Sequence, residues 1–232
     1  MSSGRGKGGG RQLPLALGHA TGQSRDDLVV TPANRVAVEL VDGWPEWPSS
    51  AALLVGPAGS GKTHLAAVWR ERAGALALPA DGLRALAAAD LRQPVLVEDL
   101  DSAPVEELGL FHLLNAVRAA RQSVLMTARR PPSGWGVRLP DLQSRLRAAS
   151  LAAMEAPDDA LLAGVIVKLF ADRQVEIDPA VVEFMLRRME RSLKAAARAV
   201  ERLDRAALER KSRITRALAA EVLETAGSDA PE

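Results

Sequence analysis

Apolar residues follow two different rhythms along this 232-residue chain. In the first two thirds, short unbroken apolar runs fall at Ala51–Val55, Val95–Val97 and within the predicted strand Ser123–Thr127, with further candidates at Ala75–Leu78 and Leu151–Met154. Runs this short and without polar alternation predict strands buried on both faces. Between them, apolar residues recur at helical spacing. His64–Arg72 carries Leu65, Val68 and Trp69, and Leu108–Arg121 carries Leu110, Leu113, Leu114 and Val117. Arg35–Val41, Leu83–Ala88 and Leu139–Ala148 are also predicted helices. Strands alternating with helices predict an α/β fold with a parallel sheet covered by helices.

From Pro157 to Ala226 only the helical rhythm remains. Asp158 opens a helix to about Asp172. Asp178 followed by Pro179 is a cap with proline at the first helical position, opening a helix to about Met189. Ser192 and Thr215 open two more, to about Glu209 and Thr225. A small all-α unit is therefore appended to the α/β core. The expected division is an N-terminal segment 1–27, an α/β core 28–156, a helical unit 157–226 and a loose tail 227–232.

The opening segment differs in kind. Met1–Arg11 holds five glycines, two serines and three basic residues, a composition that predicts a flexible tail. The apolar hexamer Gln12-Leu13-Pro14-Leu15-Ala16-Leu17 interrupts it. Leu28–Asn34 reads as a linker, and Trp44–Pro48 as a surface loop.

The chemistry is concentrated in Gly56-Pro57-Ala58-Gly59-Ser60-Gly61-Lys62-Thr63, a complete G-x-x-x-x-G-K-T phosphate loop between a predicted strand and a predicted helix. Its glycines let backbone N–H groups curl around phosphate oxygens. Lys62 can reach the β/γ-phosphates and the Thr63 hydroxyl can hold Mg²⁺. The helix that follows aims its positive end at the same anion. Phosphoryl transfer also needs a metal anchor and a group that orients water. Glu98 and Asp99, ending a buried strand, fit those two tasks, with Glu98 on the metal side. Thr127 ends another strand and is a candidate for a position beside the γ-phosphate. Arg145 is a candidate arginine finger delivered in trans, and Arg191, between two helices of the all-α unit, a candidate contact to the phosphates of its own chain.

Composition narrows the field little. Net charge is +1, so it neither requires nor excludes a nucleic-acid partner. With no cysteine, disulfides and thiolate metal sites are excluded. The three histidines, His19, His64 and His112, are scattered. No apolar run reaches membrane-spanning length, and a soluble cytoplasmic protein with no membrane partner is expected.

The order of phosphate loop, carboxylate strand, polar strand end, core arginine and helical lid with arginine resembles the AAA+ ATPases. More narrowly, Gly61-Lys62-Thr63-His64-Leu65, Thr127-Ala128-Arg129-Arg130-Pro131-Pro132 and Leu142-Gln143-Ser144-Arg145-Leu146 look like the initiator DnaA. The likeness spans residues 28–226. It implies that Leu28, Val29, Val30 and Asn34 line an adenine pocket, that His64 belongs to the nucleotide site, and that Arg191 is the lid's nucleotide-sensing arginine. DnaA's C-terminal DNA-binding and N-terminal oligomerisation domains are expected to be absent.

The hexamer resembles the Q-L-x-L-x-L peptide that docks on the bacterial replication sliding clamp. Gln12 would supply amide hydrogen bonds, and Leu13, Leu15 and Leu17 would fill apolar pockets. A clamp peptide ahead of a DnaA-type module is the layout of the Hda (HdaA) family. That resemblance implies a regulator of replication initiation that binds ADP or ATP with Mg²⁺ and sits on the β clamp of DNA polymerase III. It would meet DNA through the clamp and present Arg145 to DnaA as an activator of its hydrolysis, with a homodimer among the possible assemblies. Two departures from DnaA stand out: Glu98-Asp99 replaces Asp-Asp, and Arg129 replaces an acidic residue. Both predict weak hydrolysis by the chain itself. The alternatives are an AAA+ helicase loader or DNA-remodelling factor, which predicts robust turnover, and a small-molecule kinase, which leaves the hexamer unexplained.

Overall fold

The structure, a computed structural model, describes Arg25, residues 28–83 and residues 91–227, the last three without their side chains. The predicted helix Leu83–Ala88, the hexamer 12–17 and the tail after 227 lie outside the described residues, apart from Leu83 and Gly227. Five strands form one sheet: β1 (Ala51–Val55), β2 (Leu76–Leu78), β3 (Val95–Val97), β4 (Val124–Ala128) and β5 (Ser150–Ala153). Their order is β2-β3-β4-β1-β5, and every pairing is parallel. The phosphate-loop strand β1 thus lies inside the sheet, between β4 and β5. All five of its residues are buried, as are those of β3 and β4. This burial on both faces is why these strands read as unbroken apolar runs.

Two apolar layers sandwich the sheet. On one face, α3 (Glu107–Ala119) and α4 (Pro140–Ala148) bury Leu110, Leu113, Val117 and Leu142 against Leu53, Val97 and Met126. On the other, α1 (Arg35–Asp42) and α2 (Lys62–Ala73) bury Val38, Leu65 and Trp69 against Leu54, Leu96 and Leu125. The predicted surface loop at Trp44–Pro48 contributes more than a loop. Trp47 stacks on the fully buried Trp69 at 5.5 Å and Trp44 meets it edge-on at 6.1 Å. Spacing alone hides this, since two tryptophans among prolines have no helical or strand period. Arg72 lies over Trp44 and donates to the carbonyls of Asp42 and Trp44, closing the C-terminal end of α1.

The all-α unit is α5 (Asp159–Ala171), α6 (Pro179–Leu186), α7 (Leu193–Arg210) and α8 (Arg216–Gly227). Its caps are those the residue types imply. Asp158 accepts from the Leu161 N–H at 2.6 Å, Asp178 from Ala180 at 2.8 Å, Ser192 from Ala195 at 3.1 Å and Thr215 from Leu218 at 3.3 Å. Only α6 departs appreciably, ending at Leu186 rather than near Met189. Leu162, Ile166, Phe170, Met185, Val200 and Leu203 form a core separate from the two that flank the sheet.

Candidate functional site

The loop after β1 turns at Gly59 and Gly61, whose φ values of +77° and +98° are left-handed conformations that favour glycine. Lys62 opens α2 and is buried. Its ammonium donates to the loop carbonyls of Gly56 at 2.7 Å and Pro57 at 2.8 Å. Burial lowers its proton affinity, opposed by Asp99 and reinforced by Arg129. The loop is closely packed from outside. A Cβ at Gly56 would strike the Met154 carbonyl, and one at Gly61 would lie 2.8 Å from the Leu193 side chain.

A cavity of about 630 Å³ opens beside this loop, a size suited to a nucleotide. Leu28, Val29 and Asn34 line it, as do residues 58–65 of the loop and α2. Val30 is not in the lining and is 42% exposed. Asn34 shapes the linker: its amide donates to the Val29 carbonyl at 2.8 Å and accepts from the Thr31 N–H at 2.9 Å. The all-α unit forms the opposite wall through Leu161, Val165 and Lys168 of α5 and Leu193, Lys194 and Ala197 of α7. Helix α5 thus buries one face in the lid core and turns another to the cavity, which explains its apolar character all round. Gly164 brings α5 against the linker, since a Cβ there would lie 2.8 Å from Val29. Apolar lining comes from the linker, α1 and the lid, which also contributes Lys168, Asp172 and Lys194, while Lys62, Asp99 and Arg129 gather at the loop and the strand ends. That division suits a ligand with an apolar ring and an anionic end.

Behind the charged end, the carboxylates are finely placed. Glu98 accepts a hydrogen bond from Thr63, and burial raises its proton affinity above the ordinary carboxylate range. Its Oε1 is buried with no hydrogen-bond partner. An orphaned carboxylate oxygen beside a hydroxyl fits Mg²⁺ held by Thr63 and Glu98, where the ion would neutralise phosphate charge. Among the described residues, no cluster of three or more acidic, His or Cys side chains makes an all-protein metal cage. Asp99 adopts a left-handed φ of 51° and donates its N–H to the Thr127 hydroxyl at 2.9 Å. Thr127 is 1% exposed and does not line the cavity, so it joins the ends of β3 and β4 and sets Asp99.

Two predicted arginines lie outside the cavity lining. Arg145, on α4, places its guanidinium 5.5 Å from the Phe111 ring of α3. Arg191 pairs with Asp159 at 2.6 Å, and the lid's cations in the lining are Lys168 and Lys194 instead. Gln12, Leu13, Leu15 and Leu17 lie outside the described residues.

Sequence reasoning missed Asp101. Its carboxylate accepts from the N–H groups of Arg129 at 2.7 Å and Arg130 at 2.9 Å. Burial pushes its proton affinity up, but the two backbone donors and Arg130 outweigh that and hold it below the ordinary range. The acidic run Glu98-Asp99-Leu100-Asp101 carries the signal, although its partner lies 28 residues away. Also missed was the start of α7, where the Leu193 N–H donates to the Gly59 carbonyl at 3.1 Å.

Comparison with known proteins agrees with this architecture. Residues 165–223 match the family described as Hda, lid domain. The chain is similar to an uncharacterized protein of Haemophilus influenzae, 26% identical over 174 residues that cover 69% of this chain and 75% of that one. Among solved structures it superposes on domain III of the Thermotoga maritima replication initiation protein DnaA with a TM-score of 0.74 and 17% identity, covering 88% of this chain and 96% of that one. AMPPCP-bound DnaA from Aquifex aeolicus gives a TM-score of 0.66 at 18% identity, over 79% and 65% of the two chains. The Thermotoga maritima RuvB Holliday junction branch migration motor gives 0.68 at 17%, over 88% and 72%. The chain therefore has the fold of DnaA domain III, and its residues 165–223 match the Hda lid domain.

Proposed function

We propose that this chain is a DnaA-related regulator of replication initiation. It binds ADP or ATP in the cavity beside Lys62, docks through residues 12–17 on the DNA-loaded sliding clamp, and stimulates ATP hydrolysis by DnaA. The observation that carries this reading is the Hda-type lid at residues 165–223 on a DnaA-type core. Binding of AMPPCP by the Aquifex DnaA supports an adenine nucleotide as ligand, and so does the polarity of the cavity.

In this reading the chain's own residues divide the work. The linker and lid hold the base, the loop N–H groups and Lys62 hold the phosphates, and Asn34 keeps the linker in place. Arg145 acts elsewhere. It stands outside its own cavity with its guanidinium against Phe111, which suits delivery to a phosphoryl group bound by another chain. There it would stabilise charge in the transition state without entering the chain's own nucleotide site.

Three measurements test the reading. Lys62→Ala should weaken ADP and ATP binding by an order of magnitude or more. Arg145→Ala should bind nucleotide as wild type and lose stimulation of DnaA hydrolysis by about 10³-fold if it supplies the finger; wild-type stimulation by that variant overturns the trans role. Gln12→Ala with Leu13→Ala should release the protein from clamp loaded on DNA, and retention of the double variant overturns the docking assignment. Robust hydrolysis by the chain alone, without DnaA, would favour a self-driven motor of the kind the RuvB likeness allows.

A further inference from the structure

The cavity contains a cation for which the phosphate-loop chemistry has no task. Arg129 follows β4 directly and lines the cavity together with Lys62 and Asp99. Its charge is felt at the Lys62 ammonium. Its neighbour Arg130 is spent on Asp101, at 3.4 Å. Among the described residues, the Arg129 side chain makes no ion pair or hydrogen bond. Asp99 in the same lining offsets one of these two charges, so the pair keeps a net positive charge that an anion would neutralise.

The backbone under Arg129 is built to hold it there. The Asp101 side chain is only 2% exposed, and its two oxygens take the N–H groups of Arg129 and Arg130 separately. The guanidinium therefore rises from a fixed point at the edge of the phosphate end. Around the whole cavity, Lys62, Arg129, Lys168 and Lys194 outnumber the carboxylates Asp99 and Asp172. The excess of two positive charges suits a multiply charged anion.

We propose that Arg129 binds the distal phosphate of the nucleotide directly and, together with Lys62, neutralises it, so that this cavity holds a nucleoside diphosphate without needing Mg²⁺. Asp101 is the positioning residue for Arg129. The metal pair Thr63 and Glu98 remains able to admit the ion, but the protein's own guanidinium makes it dispensable for affinity. This rests on the reading of the same cavity as a nucleotide site.

Calorimetric titration of the full chain with ADP, in Mg²⁺ and in excess EDTA, tests it. Wild-type affinity should change less than about threefold on chelation, whereas Arg129→Ala should bind about tenfold more weakly in EDTA and recover in part when Mg²⁺ is restored. Arg129→Lys should keep most of the metal-free affinity, and Asp101→Asn should lose part of it. Thermal unfolding of the variants reports whether the fold survives, as expected for the exposed Arg129. Arg129→Ala binding like wild type in EDTA overturns the proposal, as does a wild type that loses tenfold or more on chelation. A wild type that binds no adenine nucleotide under either condition overturns the nucleotide reading as well.

Discussion

Asp101 shows how a single residue couples stability to the site. Its carboxylate joins the turn after β3 to the chain leaving β4 through two backbone N–H groups. Asp101→Ala should cost about 1–2 kcal/mol at pH 7 for those contacts. Because the folded protein holds this carboxyl below its ordinary range, the unfolded chain takes up the proton first as acid is added. The contribution is therefore complete above the ordinary Asp value of about 3.9 and vanishes as pH falls through the lowered folded value. Denaturant titrations should show the gap between Asp101→Ala and wild type closing at acid pH. Glu98 has the opposite sign: burial raises its proton affinity, so its ionised form opposes folding as pH rises. At this scale the phosphate loop was fully legible, because a local backbone shape dictates its residues. The pairing of Asp101 with Arg129 was not, because it spans two strands.

Among the elements, the contact between the phosphate loop and the start of α7 decides how lid and core sit together. The Leu193 N–H reaches the Gly59 carbonyl, and Ser192 lies against Gly59 so closely that a Cβ there would collide with it. Gly59→Ala should therefore force α7 away, adding a collision to the strain of a left-handed alanine. Faster amide exchange at Leu193 and weaker ADP binding are the expected readouts; unchanged exchange would remove the claim that this glycine seats the lid. Ser192 was predicted as a helix cap and is one. That its helix begins against the loop was not visible, since capping chemistry fixes where a helix starts but not what it starts against. Likewise, the alternating pattern announced α5 as a helix, while its second apolar face had no explanation until the cavity supplied one.

The whole molecule has two apolar layers about the sheet and a third core within the lid. Leu203 is fully buried in the lid core, far along α7 from the cavity residues Leu193, Lys194 and Ala197. Leu203→Ala should destabilise the lid by about 2–5 kcal/mol. Nucleotide affinity should fall with it, because the lid wall of the cavity is lost when the lid opens. Denaturation followed by the tryptophans, all of which precede the lid, should report the α/β core separately from far-ultraviolet dichroism, which includes the lid helices. Coincident loss by both probes would show instead that lid and core unfold as one unit.

By itself the sequence determined the parallel α/β core, the capped helices of the lid and the anion-binding loop. Each rests on local periodicity, capping or backbone shape, which neighbouring residues specify. Only the tertiary structure decided which side chains meet. It set Thr127 behind Asp99 rather than in the cavity, left Arg191 paired with Asp159 while Lys168 and Lys194 face inward, and exposed Val30 beside Val29, which lines the cavity. It also brought Arg129 and Lys62 into the lining of one cavity. Charges and apolar faces from segments far apart in the chain are brought together only by the packing of sheet and lid, and no spacing within one segment records that packing.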